Sequence, residues 1–254
     1  MKKAMLFSGG FDSTYLLNEL MQEESEVTIV CIESNLLGKE KVNRETEARK
    51  RIIDYLKAKY YNCKLNVINA NIGIDTECSY WPNSNRGLAQ PLMWLPYMCL
   101  LTSDCDEIDL SYICGDQALT HMDDLIKVIT AAAHFQHTDI GVRFPLRYYY
   151  KKDIIHYLYN KDKFLLENST SCENLDEEDF CGECTPCSHL IAAILELVAD
   201  KYTYRDERMY YINFLKDKFG IDANITRINE SKKDGGLVVD EKCEENEEAK
   251  ENVQ

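Results

Sequence analysis

The sequence predicts an α/β fold with a parallel, Rossmann-like sheet, and three observations predict it. Short β-rich runs alternate with longer stretches of helical periodicity from Lys3 to Ile68. The first run meets a Gly-Gly turn and then a helix. A later run ends in Gly115-Asp116-Gln117, a polar turn placed where the carboxyl edge of such a sheet carries ligands.

Lys3 to Phe7 is the first strand, and Thr14 to Met21 is amphipathic and helical. Val27 to Ile32 is β-rich. Arg44 to Tyr60 places Ile52, Ile53, Leu56 and Tyr60 among charges at helical spacing, and Leu65 to Ile68 follows as a third strand. This βαβαβ order favours right-handed crossovers between parallel strands. Leu88 to Leu101 reads as a buried helix with an irregular start at Pro91 and Pro96. Ile108 to Cys114 is the next strand, His121 to His134 a helix, Val142 to Leu146 an extended segment around Pro145, and Lys151 to Tyr159 a helix. Residues 172 to 187 have no periodicity, and Ile191 to Ala199 and Glu207 to Phe219 close the series as helices. Three regions follow: residues 1–165 as the main α/β domain, 166–228 as a cysteine-bearing helical region, and 229–254 as an acidic disordered tail.

The chain has 254 residues, 45% of them hydrophobic and 29% charged, which is enough to bury a sizeable core. A net charge of −15 argues against an extensive nucleic-acid surface, since phosphate neutralisation needs clustered Lys and Arg. The tail from residue 230 holds nine acidic residues against four lysines, and the rest of the chain is acidic without it. The apolar start is too short for a signal peptide, and no run approaches the roughly 18 apolar residues of a membrane span. A cytoplasmic location is expected, where eleven cysteines read as free thiols plus a metal site.

Ser8-Gly9-Gly10-Phe11-Asp12-Ser13 stands between the first strand and the first helix. Backbone N–H groups there can face an anion, aided by the helix N-terminus. Gly9 and Gly10 permit close approach and positive φ, and Ser8 and Ser13 add hydroxyls, with Ser13 suited to capping the helix. Asp12 beside polyphosphate requires an intervening cation or a role in holding the loop's own N–H groups. The Gly-Lys-Ser/Thr of a Walker loop is absent.

Cys172, Cys181, Cys184 and Cys187 have the spacing C-x8-C-x2-C-x2-C. Two-residue spacers let thiolates converge on one ion, and four of them satisfy a tetrahedral structural Zn2+; an iron–sulfur cluster is the competitor. Cys31, Cys99 and Cys114 lie in apolar runs and read as core. Trp81 and Trp94 read as core rather than as purine stackers, and His121, His134 and His137 as structural. Asp116 has two readings, a ligand for Mg2+ or a base edge, or a turn residue.

The loop resembles the PP-loop ATPases, whose Ser-Gly-Gly-x-Asp-Ser signature stands at this position. The resemblance implies that Ser8 to Ser13 hold the pyrophosphate portion of ATP while cleavage between the α and β phosphates leaves an adenylated substrate. Combined with the cysteines, and with Phe144-Pro145-Leu146 and Lys151-Lys152-Asp153-Ile154, the chain looks like the 7-cyano-7-deazaguanine synthases. That family uses ATP and Mg2+ to adenylate 7-carboxy-7-deazaguanine, and ammonia then carries it through the amide to the nitrile. The resemblance implies catalytic roles for Asp12, Ser13 and Lys151, nucleotide contacts from Gly115 and Asp116, and Zn2+ at the four cysteines.

The chain departs from the family in three places. Only Arg86 of Asn83-Ser84-Asn85-Arg86-Gly87 matches the Pro-Gly-Arg-Asn stretch, no counterpart of the Tyr-Pro-Asp-Cys-Arg substrate segment follows Gln117, and Ser188-His189-Leu190 stands where an arginine is expected. These leave room for a second acceptor, in which the adenylated deazaguanine passes to an amine on a protein or other molecule in a phage or antiviral defence pathway. A tRNA-modifying enzyme and a non-catalytic ATP-binding scaffold are the remaining alternatives. A homodimer is a candidate assembly.

Overall fold

The computed structural model describes residues 1–34, 39–72, 90–173 and 180–223, without the side chains of residues 39, 40 and 90–93. The expectations for Trp81, Arg86 and the acidic tail fall outside them. A five-stranded parallel sheet organises the chain: β1 (Lys3–Leu6), β2 (Glu26–Ser34), β3 (Lys64–Ile72), β4 (Glu107–Asp109) and β5 (Gly141–Arg143), in the order β3-β2-β1-β4-β5. All pairs are parallel, with Met5 aligned to Ile29 on one side and to Asp109 on the other.

Eight α-helices surround the sheet: α1 (Phe11–Glu23), α2 (Lys39–Lys59), α3 (Gln90–Leu101), α4 (Met122–Phe135), α5 (Lys151–Lys161), α6 (Lys163–Asn168), α7 (Thr185–Ala199) and α8 (Arg205–Phe219). Side chains alternate across a strand, so β1 and β2 feed two separate cores. Met5, Val27, Ile29 and Cys31 pack with Leu16, Leu17, Ile52, Leu56, Leu158, Leu190, Ile194 and Tyr211 of α1, α2, α5, α7 and α8. Ala4 and Val30 face the other way, onto Leu95, Met98, Leu125 and Ile129 of α3 and α4.

Four sequence expectations change. The strand expected from Ile108 to Cys114 stops at Asp109, because β1 offers partners only as far as Met5; beyond it Leu110 N donates to Arg143 O (2.9 Å) and Cys114 N to Tyr149 O (2.9 Å). The extended segment from Val142 shortens to Arg143, where β4 ends and where Pro145 could donate no ladder bond. The first helix begins at Phe11 with Gly10 as its N-cap, so Ser13 lies within the first turn rather than capping it. The second helix begins at Lys39, five residues before Arg44, which carries Lys41 and the rest of that turn toward the strand ends. The six-residue α6 is an addition that sequence periodicity did not reveal; Asp162 caps it by accepting from Leu165 N.

Candidate active site

The Ser8–Ser13 segment turns at the carboxyl end of β1. Gly9 has φ +83°, and a Cβ there would stand 3.2 Å from Arg49 Cγ and 3.4 Å from Arg49 N, so both the conformation and the packing require glycine. Gly10 N donates to Ser8 Oγ (3.2 Å), Ser8 and Ser13 hydroxyls lie 3.2 Å apart, and Ser13 Oγ donates to Gly10 O (3.1 Å). Thr170 N donates to Gly9 O (3.0 Å), which ties the loop to the segment after α6. Helix geometry leaves the N–H groups of Phe11, Asp12 and Ser13 without intrahelical acceptors, the arrangement an anion uses. The Phe11 side chain is fully buried, its ring 6.3 Å from that of Phe180, and contributes packing rather than ligand contact.

Lys151 opens α5 and reaches Asp12 with Nζ 2.7 Å from Oδ1 and 2.5 Å from Oδ2. Its side chain is 14% exposed, so this lysine is largely buried although it stands in a first helical turn. The cation that Asp12 requires is thus supplied by the protein. A Tyr150–Asp153 capping box fixes the start of α5, with Tyr150 N donating to Asp153 Oδ2 (2.9 Å).

Asp116 follows Gly115, whose φ is +94°. Asp116 Oδ2 accepts from Ile113 N (2.9 Å), so the turn reading of this residue is correct. Burial holds its carboxyl above the usual range; the Ile113 N–H opposes this, the Asp12 charge adds to it, and Lys151 and His189 counter it. Asp116, Asp12, Lys151 and His189 therefore share one electrostatic neighbourhood. His189 lies on α7, two residues after the last cysteine of the cluster, at the place where the sequence lacks an arginine.

A cavity of about 190 Å³ lies at the carboxyl ends of β1, β2 and the residues after β4. Ser8 and Ser13 line it with Lys41, Glu45, Trp94 and Tyr112, and its remaining walls come mainly from Leu6, Val30, Ile32 and Leu110. Trp94 is half-buried against this cavity, which corrects its reading as a core residue: α3 presents it at the pocket mouth. A larger cavity of about 410 Å³ runs between α2 and residues 167–170, with Arg44, Arg51 and Lys218 in its wall; the loop serines do not line it. The smaller cavity is the one joined to the loop. Lys41 and Glu45 on α2, Tyr112 after β4 and His189 on α7 escaped the sequence reading because three distant parts of the chain supply them with no motif around them.

The sulfurs of Cys172, Cys181, Cys184 and Cys187 all lie within 4.8 Å of one another and could hold a metal ion. Cys172 and Cys184 Sγ are 3.9 Å apart. Cys184 N and Glu183 N donate to Cys181 Sγ (3.3 and 3.4 Å), Cys181 N to Cys172 Sγ (3.4 Å) and Glu173 N to Cys184 Sγ (3.4 Å), the outer hydrogen bonds that orient thiolate ligands. Burial disfavours the Cys181 thiolate, yet these N–H groups and the neighbouring thiols bring it down to about 7. Cys184 is the N-cap of α7 and Cys187 is buried within it, and Arg44 Nη2 donates to Cys172 O (2.9 Å), so the cluster links α7 to α2. Cys31 and Cys99 are buried as expected, whereas Cys114 is only half-buried because the strand that would have enclosed it ends early.

The family described as "Queuosine biosynthesis protein QueC" matches residues 113–197. Residues 113–197 are similar to that family. The matched segment is about a third of the chain and includes Gly115, Asp116, Lys151 and all four clustered cysteines, while Ser8 to Ser13 lie before it. No curated protein sequence matches the chain. Among solved structures it is similar to the U34-tRNA thiolase NcsA from Methanococcus maripaludis with its [4Fe-4S] cluster, at 15% identity over 96% of this chain and 76% of that one, with a TM-score of 0.42. It is also similar to NMN synthetase from Francisella tularensis, at 13% identity over 87% and 88%, with a TM-score of 0.43. A predicted subunit of tRNA methyltransferase from Methanocaldococcus jannaschii matches at 15% identity over 63% and 74%, with a TM-score of 0.34. Among the described residues no helix is long and apolar enough to cross a membrane.

Proposed function

We propose that this protein adenylates the carboxylate of 7-carboxy-7-deazaguanine with ATP, and that ammonia converts the acyl-adenylate through the amide to 7-cyano-7-deazaguanine. The observation that carries this reading is Lys151 closed on Asp12 at the phosphate loop, within a chain whose QueC-like segment supplies Lys151 itself. A substrate carboxylate oxygen attacks the α-phosphorus, and the bond to the bridging oxygen breaks with release of pyrophosphate. Loop N–H groups from Phe11 to Ser13 and the Ser8 and Ser13 hydroxyls bind the departing pyrophosphate, and Lys151 offsets its growing charge. Asp12 and Asp116 would hold Mg2+, which supplies further charge neutralisation when bound. Ammonia then displaces AMP from the acyl carbon, giving the amide. Loss of the amide oxygen on a second adenylation leaves the nitrile.

At the cysteines we propose a structural Zn2+. Four thiolates at zinc–sulfur distances of about 2.3 Å stand close together around one ion, whereas the thiolates of a four-iron cluster bind separate irons and spread further. The mutual approach of all four sulfurs within 4.8 Å fits the single ion. With four protein ligands the ion has no open position for substrate, so its work is to hold α7, and with it His189, against the site. The described cysteines form no disulfide, which accords with a reducing, cytoplasmic compartment.

One observation favours a second acceptor. Tyr148, Tyr149 and Tyr150 stand 73%, 40% and 47% exposed immediately before Lys151 in the chain, an aromatic surface suited to a larger amine-bearing partner. The deciding experiment incubates protein, Mg2+ and ATP with 7-carboxy-7-deazaguanine, with and without ammonium, and follows pyrophosphate, AMP and nucleobase mass. Acid-dependent pyrophosphate with nitrile is the expected result. Pyrophosphate and AMP without nitrile would transfer support to the second acceptor, and absence of acid-dependent pyrophosphate would overturn the substrate.

A further inference from the structure

Lys41 is a buried cation lacking the acceptors that a buried cation needs. Its side chain is only 7% exposed, and the sole charge beside it is Glu45 Oε1 at 3.8 Å, beyond hydrogen-bond distance. Among the described residues no acceptor lies within hydrogen-bond reach of Lys41 Nζ. Its neighbour Arg49, similarly buried, is satisfied: Nη2 donates to Glu33 Oε1 (2.9 Å) and Thr46 Oγ1 (2.8 Å). Glu45 is shared with Arg49 Nη1 at 3.7 Å, so its one charge is divided between two cations. The Lys41 Nζ itself is open to the cavity rather than sealed in protein, while the rest of the side chain is held out of water, at a cost in hydration.

The cavity that Lys41 lines supplies a reason for this cost. Ser8 and Ser13 stand in the same wall, whereas the opposite side is apolar and aromatic, with Leu6, Ile32, Trp94 and Tyr112. A nucleoside fits that apolar side. The pyrophosphate end belongs at the first turn of α1 beside Asp12 and Lys151. The group between a nucleoside and its pyrophosphate is the α-phosphoryl, and Lys41 is the cation at that intermediate place.

Resting on the adenylation reading, we propose that Lys41 receives a non-bridging oxygen of the nucleotide α-phosphoryl group and retains it in the acyl-adenylate. Lys41 and Lys151 thereby divide the polyphosphate, one holding what stays with the nucleoside and the other what leaves. Glu45 orients the Lys41 side chain along α2 in the free protein.

Calorimetric titration of the full-length protein with AMP, adenosine, pyrophosphate and 7-carboxy-7-deazaguanine, each alone, tests the assignment. Wild type should bind AMP more tightly than adenosine. Lys41→Gln should weaken AMP by about tenfold or more, as for loss of a charged hydrogen bond, with adenosine and pyrophosphate unchanged; Lys41→Arg should recover most of the loss. Equal weakening of AMP and adenosine, or unchanged AMP binding, would overturn the role of Lys41. Loss of acid binding with AMP retained would overturn it in favour of a carboxylate partner. If Lys41→Gln fails to fold, the AMP-to-adenosine affinity ratio is read in Lys41→Met, whose side chain is of similar length and uncharged. Failure of wild type to bind AMP or ATP at all would instead remove the adenylation reading on which the proposal stands.

Discussion

Lys151 Nζ lies 2.7 and 2.5 Å from the two carboxylate oxygens of Asp12, an ion pair across 139 positions of sequence that joins the first turn of α5 to the first turn of α1. Both side chains are mostly buried, at 14% and 23% exposed, so the pair is screened less than a surface salt bridge. It holds the Lys151 ammonium at the first turn of α1, beside the loop. Replacing Lys151 by Met should reduce acid-dependent pyrophosphate release by about a hundredfold or more, the scale for losing one donor to developing negative charge. Steady-state pyrophosphate assays with saturating ATP measure this, and retention of full turnover would remove Lys151 from the chemistry.

Gly9→Ala should strain the loop. An alanine at φ +83° costs on the order of 1–3 kcal/mol, and its Cβ would press on the Arg49 side chain and backbone. A lower Tm together with weaker ATP binding is expected from thermal melts and titration. A variant that melts with wild type would show that the turn relaxes freely.

Asp116 predicts a pH dependence with a definite sign. Its carboxyl is held above the ordinary value of 3.8, chiefly by burial. The folded chain keeps this proton to higher pH than the unfolded chain, so Asp116 lowers stability as pH rises from 3.8 through its folded-state value, and contributes a level penalty above it. Asp116→Asn keeps an acceptor for Ile113 N–H and lacks the charge. Urea midpoints of variant minus wild type should therefore grow more positive with rising pH and then level; a difference that stays flat or falls would contradict the burial of this group. The same substitution should slow pyrophosphate release, because one carboxylate for Mg2+ is lost.

Removing metal from the cysteine cluster should loosen α7. Mass spectrometry under native conditions should find one zinc per chain, and Cys184→Ser should release it. Because Cys187, Leu190 and Ile194 are buried on α7, Tm should fall by about 10 °C or more, the scale of several kcal/mol in a chain of this size. Bound iron with acid-labile sulfide in place of zinc would reject the single-ion geometry.

Much of this protein was legible locally. Alternating apolar runs located β1, β2, β3 and most helices, because a strand buried on both faces and a helix with one apolar stripe leave different periods in the sequence. Ser8 to Ser13 and the four cysteines were legible because their chemistry depends on short spacing along one chain. The ends of β4 and β5 were not, since a strand ends where its neighbour ceases to offer partners, and that is a property of the pair.

The sequence by itself determined that a Gly-Gly turn with two serines joins the first strand to the first helix and that four cysteines stand at chelating spacing in its last third. Tertiary structure alone decided that Lys151 closes on Asp12, that Lys41 lines the cavity beside the loop, and that α7 brings His189 toward Asp116. The physical reason is the range of the interactions. Turns and chelating spacers are governed by residues a few positions apart, whereas an ion pair or a cavity wall is assembled only when a parallel sheet brings the carboxyl ends of distant strands to one edge.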